Sequence, residues 1–399
     1  MKNTFKVKSE GRDILKTLNV VTGRMLDVNM ASAHIARHPD TFNVNRIAKQ
    51  LHPKSLKLRI KKVDVFSEDV KSYILTSAEG RMLPYFKAGQ YLTVELKVGS
   101  SVLTRPYSLS SSPRDSLSGE YRITVKRVPA GFASGHILDN WQAGDIITAY
   151  PPEGTFGYEP LRDAKTVVGV AGGSGITPFI SMAEDIASGD SDFNLILLYG
   201  ARNTREILFK KELDALADKC DKFKVCYVLS DSTSKKYETG FIGADLIKKY
   251  APADEAYSIF VCGPGPMYKF LQSELPKLGL ENKYIRFEMS SGRRDLAIEP
   301  GYPKDMLEKT FSLTVIDRGS KYETECNSSD SILCALEKAG IAVQARCRSG
   351  ECGFCRSKIV SGEYFIPQGV DKRRIADARF GYVHPCCAYP LSDIVIKIN

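Results

Sequence analysis

Close to the end of the chain, Cys347-Arg348-Ser349-Gly350-Glu351-Cys352-Gly353-Phe354-Cys355 places three thiols in nine residues, and Cys386 and Cys387 follow further on. A C-x4-C-x2-C run with a distant fourth cysteine supplies the four thiolates that hold a two-iron, two-sulfur cluster, a centre that passes one electron at a time. Small residues between the thiols let a loop wrap such a cluster with its amides turned toward sulfur. A structural zinc site is the competing reading, but zinc sites favour paired C-x2-C knuckles, which this loop does not form. By spacing alone, Cys386 and Cys387 are both open as the fourth ligand.

Three other stretches carry residue types suited to chemistry. Arg105-Pro106-Tyr107-Ser108-Leu109-Ser110 offers a guanidinium for phosphate, an aromatic face for a planar ring and a hydroxyl for a ring nitrogen, which suits a flavin. By itself it also reads as a strand ending in a serine-rich turn. Ala171-Gly172-Gly173-Ser174-Gly175-Ile176-Thr177-Pro178 lies between an apolar run and a helical stretch, where glycine lets the backbone approach a pyrophosphate and a helix start offers free N–H groups. It is not G-x-G-x-x-G, and a turn needed only for tight packing would look alike. Val261-Cys262-Gly263-Pro264-Gly265-Pro266-Met267 sets a thiol where a further strand ends, the edge at which parallel sheets bind ligands; a buried structural cysteine is the alternative.

These residues need elements to position them, and 399 residues suffice for two to three domains, each with its own core. With 43% hydrophobic and 26% charged residues the composition is that of an ordinary soluble protein. No apolar run approaches the roughly 18 residues that span a bilayer, and the start, Met-Lys-Asn-Thr-Phe-Lys-Val-Lys, lacks the apolar core of a signal peptide. A cytoplasmic protein with reduced thiols is expected. The net charge of +9 sits in the first 62 residues, which hold 14 Lys/Arg against 4 Asp/Glu. This arm is suited to an acidic protein, an anionic membrane surface or nucleic acid, or to packing as a solvated helix, but no nucleic-acid motif accompanies it. His34 and His38 are spaced i, i+4 without a carboxylate or further histidine to complete a metal site, and read as a surface pair.

From Leu56 to about Tyr158, short strand-like runs punctuated by Gly, Pro and Ser suit a small antiparallel barrel. After Leu161 the rhythm becomes strand, helix, strand, with helices expected near Phe179 to Ala187, Glu206 to Asp218, Gly243 to Tyr250 and Met267 to Leu278, as in a doubly wound parallel sheet. Residues 289–309 read as a polar linker. From Thr310 a strand pair, one helix, the cysteine loop and a last strand fit a small sheet clasping a helix. The expected division is a basic N-terminal extension over 1–55, a flavin barrel over 56–160, a nucleotide domain over 161–288, the linker, and a cluster domain over 310–399.

In this order the motifs resemble the ferredoxin-NADP reductase superfamily, in the branch that carries a plant-type ferredoxin at its C-terminus, across residues 56 to 399. The tail Cys386-Cys387-Ala388-Tyr389-Pro390-Leu391-Ser392-Asp393 is similar to the ferredoxin ending C-A-A-Y-P-x-S-D, which puts the fourth ligand on Cys386, beside Cys347, Cys352 and Cys355, and leaves Cys387 a bystander. The resemblance implies that Arg105 pairs with flavin phosphate, Tyr107 lies against the isoalloxazine, and Ser108 bonds near its reactive nitrogen. It also implies that Gly172, Gly173, Gly175 and Thr177 line the dinucleotide site, with Cys262 and Gly263 beside the nicotinamide. Lys126-Arg127-Val128-Pro129-Ala130-Gly131-Phe132-Ala133-Ser134 looks like the second flavin segment of FAD-using members, so Lys126, Gly131 and Ser134 join the site and FAD is favoured over FMN. Glu288 resembles an acidic position near the flavin, and Arg202 falls where the adenosine ribose lies.

The implied fold is a multidomain chain: an antiparallel β-barrel flavin domain, an α/β parallel-sheet nucleotide domain and an α+β β-grasp ferredoxin domain. The implied activity is electron transfer from NAD(P)H, with NADH favoured, through flavin and cluster to a redox partner protein such as an oxygenase or another metalloenzyme. Two alternatives remain: a self-sufficient reductase of a small molecule, and a redox-sensing protein without turnover.

Overall fold

The computed structural model of the protein describes residues 47–48, 52–99, 101–129, 131–231, 236–288 and 295–398. Every strand and helix below lies in Ser55–Asn399, one of two compact units in the chain. The N-terminal histidine pair and most of the basic arm lie outside the described residues.

Six strands, β1 (Leu56–Ser67), β2 (Val70–Ser77), β3 (Tyr91–Val98), β4 (Ser101–Ser108), β5 (Glu120–Lys126) and β6 (Ile146–Glu153), form one antiparallel sheet in the order β4-β3-β6-β1-β2-β5. The period-two pattern is visible in β1, where Leu56, Leu58 and Ile60 are buried and Lys57, Arg59 and Lys61 are exposed. Leu109 bridges Ile123, and the Ser110 N–H donates to the Arg122 carbonyl at 2.7 Å, so the chain just past β4 returns to β5 and closes the ring. This seam follows Ser108 directly. One end is covered by α1 (Phe132–Asn140), a helix absent from the sequence reading, whose Ile137 carbonyl accepts the buried Tyr73 hydroxyl at 3.2 Å.

The second sheet consists of β7 (Thr166–Gly172), β8 (Asn194–Ala201), β9 (Phe223–Leu229), β10 (Glu238–Thr239), β11 (Tyr257–Cys262) and β12 (Ile285–Phe287), all parallel, in the order β10-β9-β8-β7-β11-β12. Its helices are α2 (Thr177–Ala187), α3 (Lys210–Lys219), α4 (Ala244–Tyr250) and α5 (Gly265–Glu274). β7 is buried at every position, as the central strand of a sheet covered on both faces must be. Strand order reverses at β7, so the crevice between the carboxyl ends of β7 and β11 is the topological switch point. Two helices are shorter than expected. Phe209, buried and left-handed at φ 54°, interrupts the chain before α3. Pro276, which has no N–H, accompanies the change from α5 to a 3-10 turn at Leu275–Leu278.

The third part is a mixed sheet of β13 (Thr310–Asp317), β14 (Ser320–Asn327), β15 (Ser357–Ser361), β17 (Tyr382–Val383) and β19 (Ile394–Ile398), ordered β14-β13-β19-β15-β17, with a small pair of β16 (Tyr364–Phe365) and β18 (Tyr389–Pro390). The helix α6 (Ile332–Lys338) lays Ile332, Ala335 and Leu336 on Leu313, Val315, Ile394 and Ile396, the arrangement of a β-grasp. The short α7 (Ile375–Arg379) precedes β17. Of the stretch read as linker, Leu296 and Tyr302 are buried against Tyr389, and the Tyr302 hydroxyl donates to the Ser328 carbonyl. Among the described residues no helix is long and apolar enough to cross a membrane.

Candidate functional site

The cysteine loop is built around backbone conformations that ordinary residues resist. Gly350 and Gly353 take φ of 84° and 74°, and an added methyl at Gly350 would lie 2.5 Å from the Val370 carbonyl and 2.8 Å from the Cys387 sulfur. Arg348 is left-handed as well, at φ 57°, without glycine's licence. This winding buries Cys347 and aims the Ser349 and Cys352 amides at its sulfur, at 3.5 and 3.3 Å. Cys386 Sγ stands 3.5 Å from Cys355 Sγ, and Cys347 interacts with both Cys352 and Cys386. Cys387 donates to the His384 carbonyl at 3.4 Å and is packed beside Cys386 and Cys355. Cys347, Cys352, Cys355 and Cys386 are neighbouring, largely buried thiols, with amides aimed at the Cys347 sulfur, and so have the chemistry that a two-iron cluster requires.

The arginines beside these ligands serve internal contacts. Arg346 pairs with Glu153 at the end of β6 and lies over the rings of Tyr150, at 4.6 Å, and Phe354, at 3.9 Å. Arg348 pairs with Glu337 of α6. Arg356 bonds Asp377 at 2.7 Å and covers the Tyr382 ring at 3.5 Å. The loop therefore docks on the barrel beside the flavin motif. Tyr91 of β3, in register with Ser108, is held far above the usual phenol range by burial and then by the charges of Cys347 and Cys352.

Along β4, Arg105 and Tyr107 share one face and Ser108 takes the other. Arg105 donates to its neighbour Thr104 at 2.7 Å and lies 3.5 Å from Glu337 Oε2; Tyr107 is half-buried against the barrel core. Gly131 caps α1 without a side-chain hydrogen bond, which leaves the helix N–H groups open to an anion. The Ser134 hydroxyl accepts from the Val128 N–H at 3.0 Å and so fixes this turn. Lys126, at the end of β5, brings its ammonium to 3.5 Å from the position a methyl on Gly173 would take, which joins the flavin segment to the glycine turn. A guanidinium, an aromatic face and a hydroxyl on β4, with an open helix start at α1, are the residue types a flavin phosphate and ring would require.

At the switch point, Gly173 is left-handed at φ 55° and its carbonyl accepts the Tyr199 hydroxyl at 3.0 Å. A methyl on Gly175 would collide with the Cys262 carbonyl, and one on Gly172 would lie 2.7 Å from the sulfur of Met267. Thr177 Oγ1 donates to the Ser174 carbonyl at 3.1 Å, locking the turn into α2. Cys262 is buried, and burial followed by the Glu288 carboxylate holds its thiol well above the usual range, so it is a neutral contact surface. Gly263 adjoins Tyr268, whose hydroxyl donates to the Glu288 carbonyl at 2.9 Å.

A cavity of about 220 Å³ lies where all three parts meet, lined by Thr155 and Phe156 past β6, Arg286, Phe287 and Glu288 at β12, Arg162, and Glu351 of the cysteine loop. At the same carboxyl edge, just past β8, Arg202 is exposed and engaged by Glu206 at 2.6 Å, and its carbonyl accepts the Asp231 N–H at 2.9 Å. Sequence reasoning missed Glu337, Glu153, Tyr91, Tyr268 and Met267. Only Met267 and Tyr268 carried a signal, since they directly follow the Cys262-Gly263 turn.

Comparisons with known proteins match each part. Family models match residues 57–158 as an oxidoreductase FAD-binding domain, 170–273 as an oxidoreductase NAD-binding domain and 315–391 as a 2Fe-2S iron-sulfur cluster binding domain. The 3-ketosteroid-9-alpha-monooxygenase ferredoxin reductase component of Mycolicibacterium smegmatis is 30% identical over 85% of this chain and 96% of the relative. The glycine betaine monooxygenase reductase subunit of Chromohalobacter salexigens is 26% identical over 82% of this chain and 91% of the relative. The solved structure of phthalate dioxygenase reductase superposes with a TM-score of 0.62 and 26% identity, covering 86% of this chain and 98% of that one.

Proposed function

Since the chain belongs to the family of oxygenase reductase components that join an FAD-binding barrel and an NAD-binding sheet to a C-terminal 2Fe-2S domain, we propose that it is such a component and draws its electrons from NADH. It passes electrons from NAD(P)H by way of FAD and the cluster to an oxygenase partner. FAD, when bound, takes up two electrons as hydride and releases them singly, and the cluster carries one at a time.

The chain's own residues supply binding, orientation and exclusion of water. The glycines at 172, 173 and 175 bring bare backbone to the dinucleotide, and Thr177 holds the turn that presents it. Cys262 and Gly263 form the floor for the nicotinamide; the thiol's neutrality makes it a packing surface. Arg105, Lys126, Gly131 and Ser134 hold the flavin's phosphate side, while Tyr107 and Ser108 take its ring. Hydride transfer demands stacked rings in contact, whereas the step to the cluster tolerates a gap, which matches a flavin motif flanked by the glycine turn and the cysteine loop. The observation that carries this reading is the junction cavity, where Phe156, Glu288 and Glu351 bring the three parts to one place.

NADH is favoured because Arg202, just past the end of β8, is paired with Glu206, which competes for that guanidinium with the extra phosphate of NADPH. Ten cysteines without a disulfide, four of them suited to a cluster, accord with a reducing compartment, which we take to be the cytoplasm. The test is anaerobic stopped-flow mixing with NADH and, separately, NADPH, followed by electron paramagnetic resonance of the frozen product. Flavin bleaching followed by a reduced two-iron signal, faster with NADH, is the expected result. Absence of bleaching with either nucleotide would discard the proposal.

A further inference from the structure

Glu337 has no place in the chemistry above, yet it is a buried carboxylate paired with two arginines from different parts of the molecule. It lies on α6 with its side chain 6% exposed, and its two oxygens go to different parts of the molecule: Oε1 to Arg348, beside Cys347, and Oε2 to Arg105 of β4, at 3.5 Å. Arg348 is itself 6% exposed, keeps the left-handed backbone that winds the loop, and reaches the Cys334 sulfur at 3.5 Å with its other nitrogen. Two guanidiniums thus share one buried carboxylate across the boundary between barrel and ferredoxin domain. A lone buried guanidinium is costly, so removal of the shared carboxylate leaves both without their partner and the left-handed residue without its tether.

We propose that Glu337 is the joint that seats the ferredoxin domain on the flavin barrel, so that one buried charge sets the approach of the cluster loop to the flavin strand. The proposal rests on the reading of this chain as a flavin-to-cluster reductase. Glu337 is a positioning residue: it touches neither nucleotide nor thiol ligand, and acts through Arg105 on one side and Arg348 on the other. The Arg346–Glu153 pair is a second anchor on the same boundary, but it holds β6 and not the strand that carries Arg105.

The test uses the full-length, cofactor-loaded protein with Glu337→Gln, which keeps shape and removes charge, and Glu337→Asp, which keeps charge and shortens reach. Flavin bleaching by NADH, reduction of the cluster, and hydrogen exchange of residues 104–108 and 346–352 are measured side by side. The expected result for Glu337→Gln is cluster reduction slowed by about tenfold or more relative to flavin bleaching in the same sample, and exchange rising in both segments together. Glu337→Asp should recover much of each change, and it carries the test should the amide variant fail to fold. Cluster reduction at the wild-type rate, or faster exchange confined to 346–352, would overturn the proposal. The exchange measurement needs no nucleotide, so failure of the wild-type protein to bleach would count against the proposed function while exchange still decides the role of Glu337.

Discussion

Gly175 is hemmed in by the Cys262 carbonyl, so the glycine turn and the end of β11 touch through backbone alone. Gly175→Ala should therefore force the switch point apart, raising KM for the nucleotide and lowering stability by about 1–3 kcal/mol while flavin stays bound. Steady-state kinetics and denaturant melts check this. At the cluster, Cys352→Ser should abolish the visible spectrum of the iron-sulfur centre and leave bound flavin intact; a normal cluster spectrum would overturn the ligand assignment. Residues of this kind were legible beforehand, because cysteine and glycine are chosen for what other residues cannot do. Arg346 and Arg348 were not. They look like surface charges, and only folding shows that Glu153 and Glu337 absorb them from 193 and 11 residues away.

The strands and helices were legible as a rhythm, and their ends were not. Phe209 delays the start of α3 by a backbone twist that its residue type does not announce, and α1 hid inside a stretch read for its flavin chemistry. Contacts between elements were the least visible. Arg122 of β5 bonds Glu184 of α2 at 3.0 Å and Glu212 of α3 at 2.9 Å, and lies over the Phe209 ring at 4.8 Å, tying barrel to nucleotide sheet. Burial outweighs this pairing at Glu184 and pushes its carboxyl up from 4.5 to about 7. The folded state then binds more protons than the unfolded chain between those values, so this group's contribution to stability is greatest below about pH 4.5 and declines as pH rises through 7. Glu184→Gln should flatten that part of the stability profile, by at most about 3 kcal/mol, as read from urea melts between pH 4.5 and 8.

For the molecule as a whole, the basic excess in the first 62 residues leaves a near-neutral remainder, 42 Lys/Arg against 43 Asp/Glu. Removal of residues 1–50 should leave reduction of artificial dyes intact and impair transfer to the physiological oxygenase, measured as dye turnover against coupled turnover; loss of folding would make the arm structural. The three-part order was readable because each part has its own motif, whereas the seating of one part on another was not, since its charges come from distant, unremarkable positions. That seating also orders events in time. The ferredoxin domain follows the nucleotide sheet along the chain but is bound to the barrel through contacts that span 193 and 232 residues. On a ribosome, barrel and sheet emerge and fold first, and the ferredoxin domain arrives last at a surface already formed. Its docking is then the closing step of biogenesis, and a nascent chain stalled before Thr310 should already bind flavin.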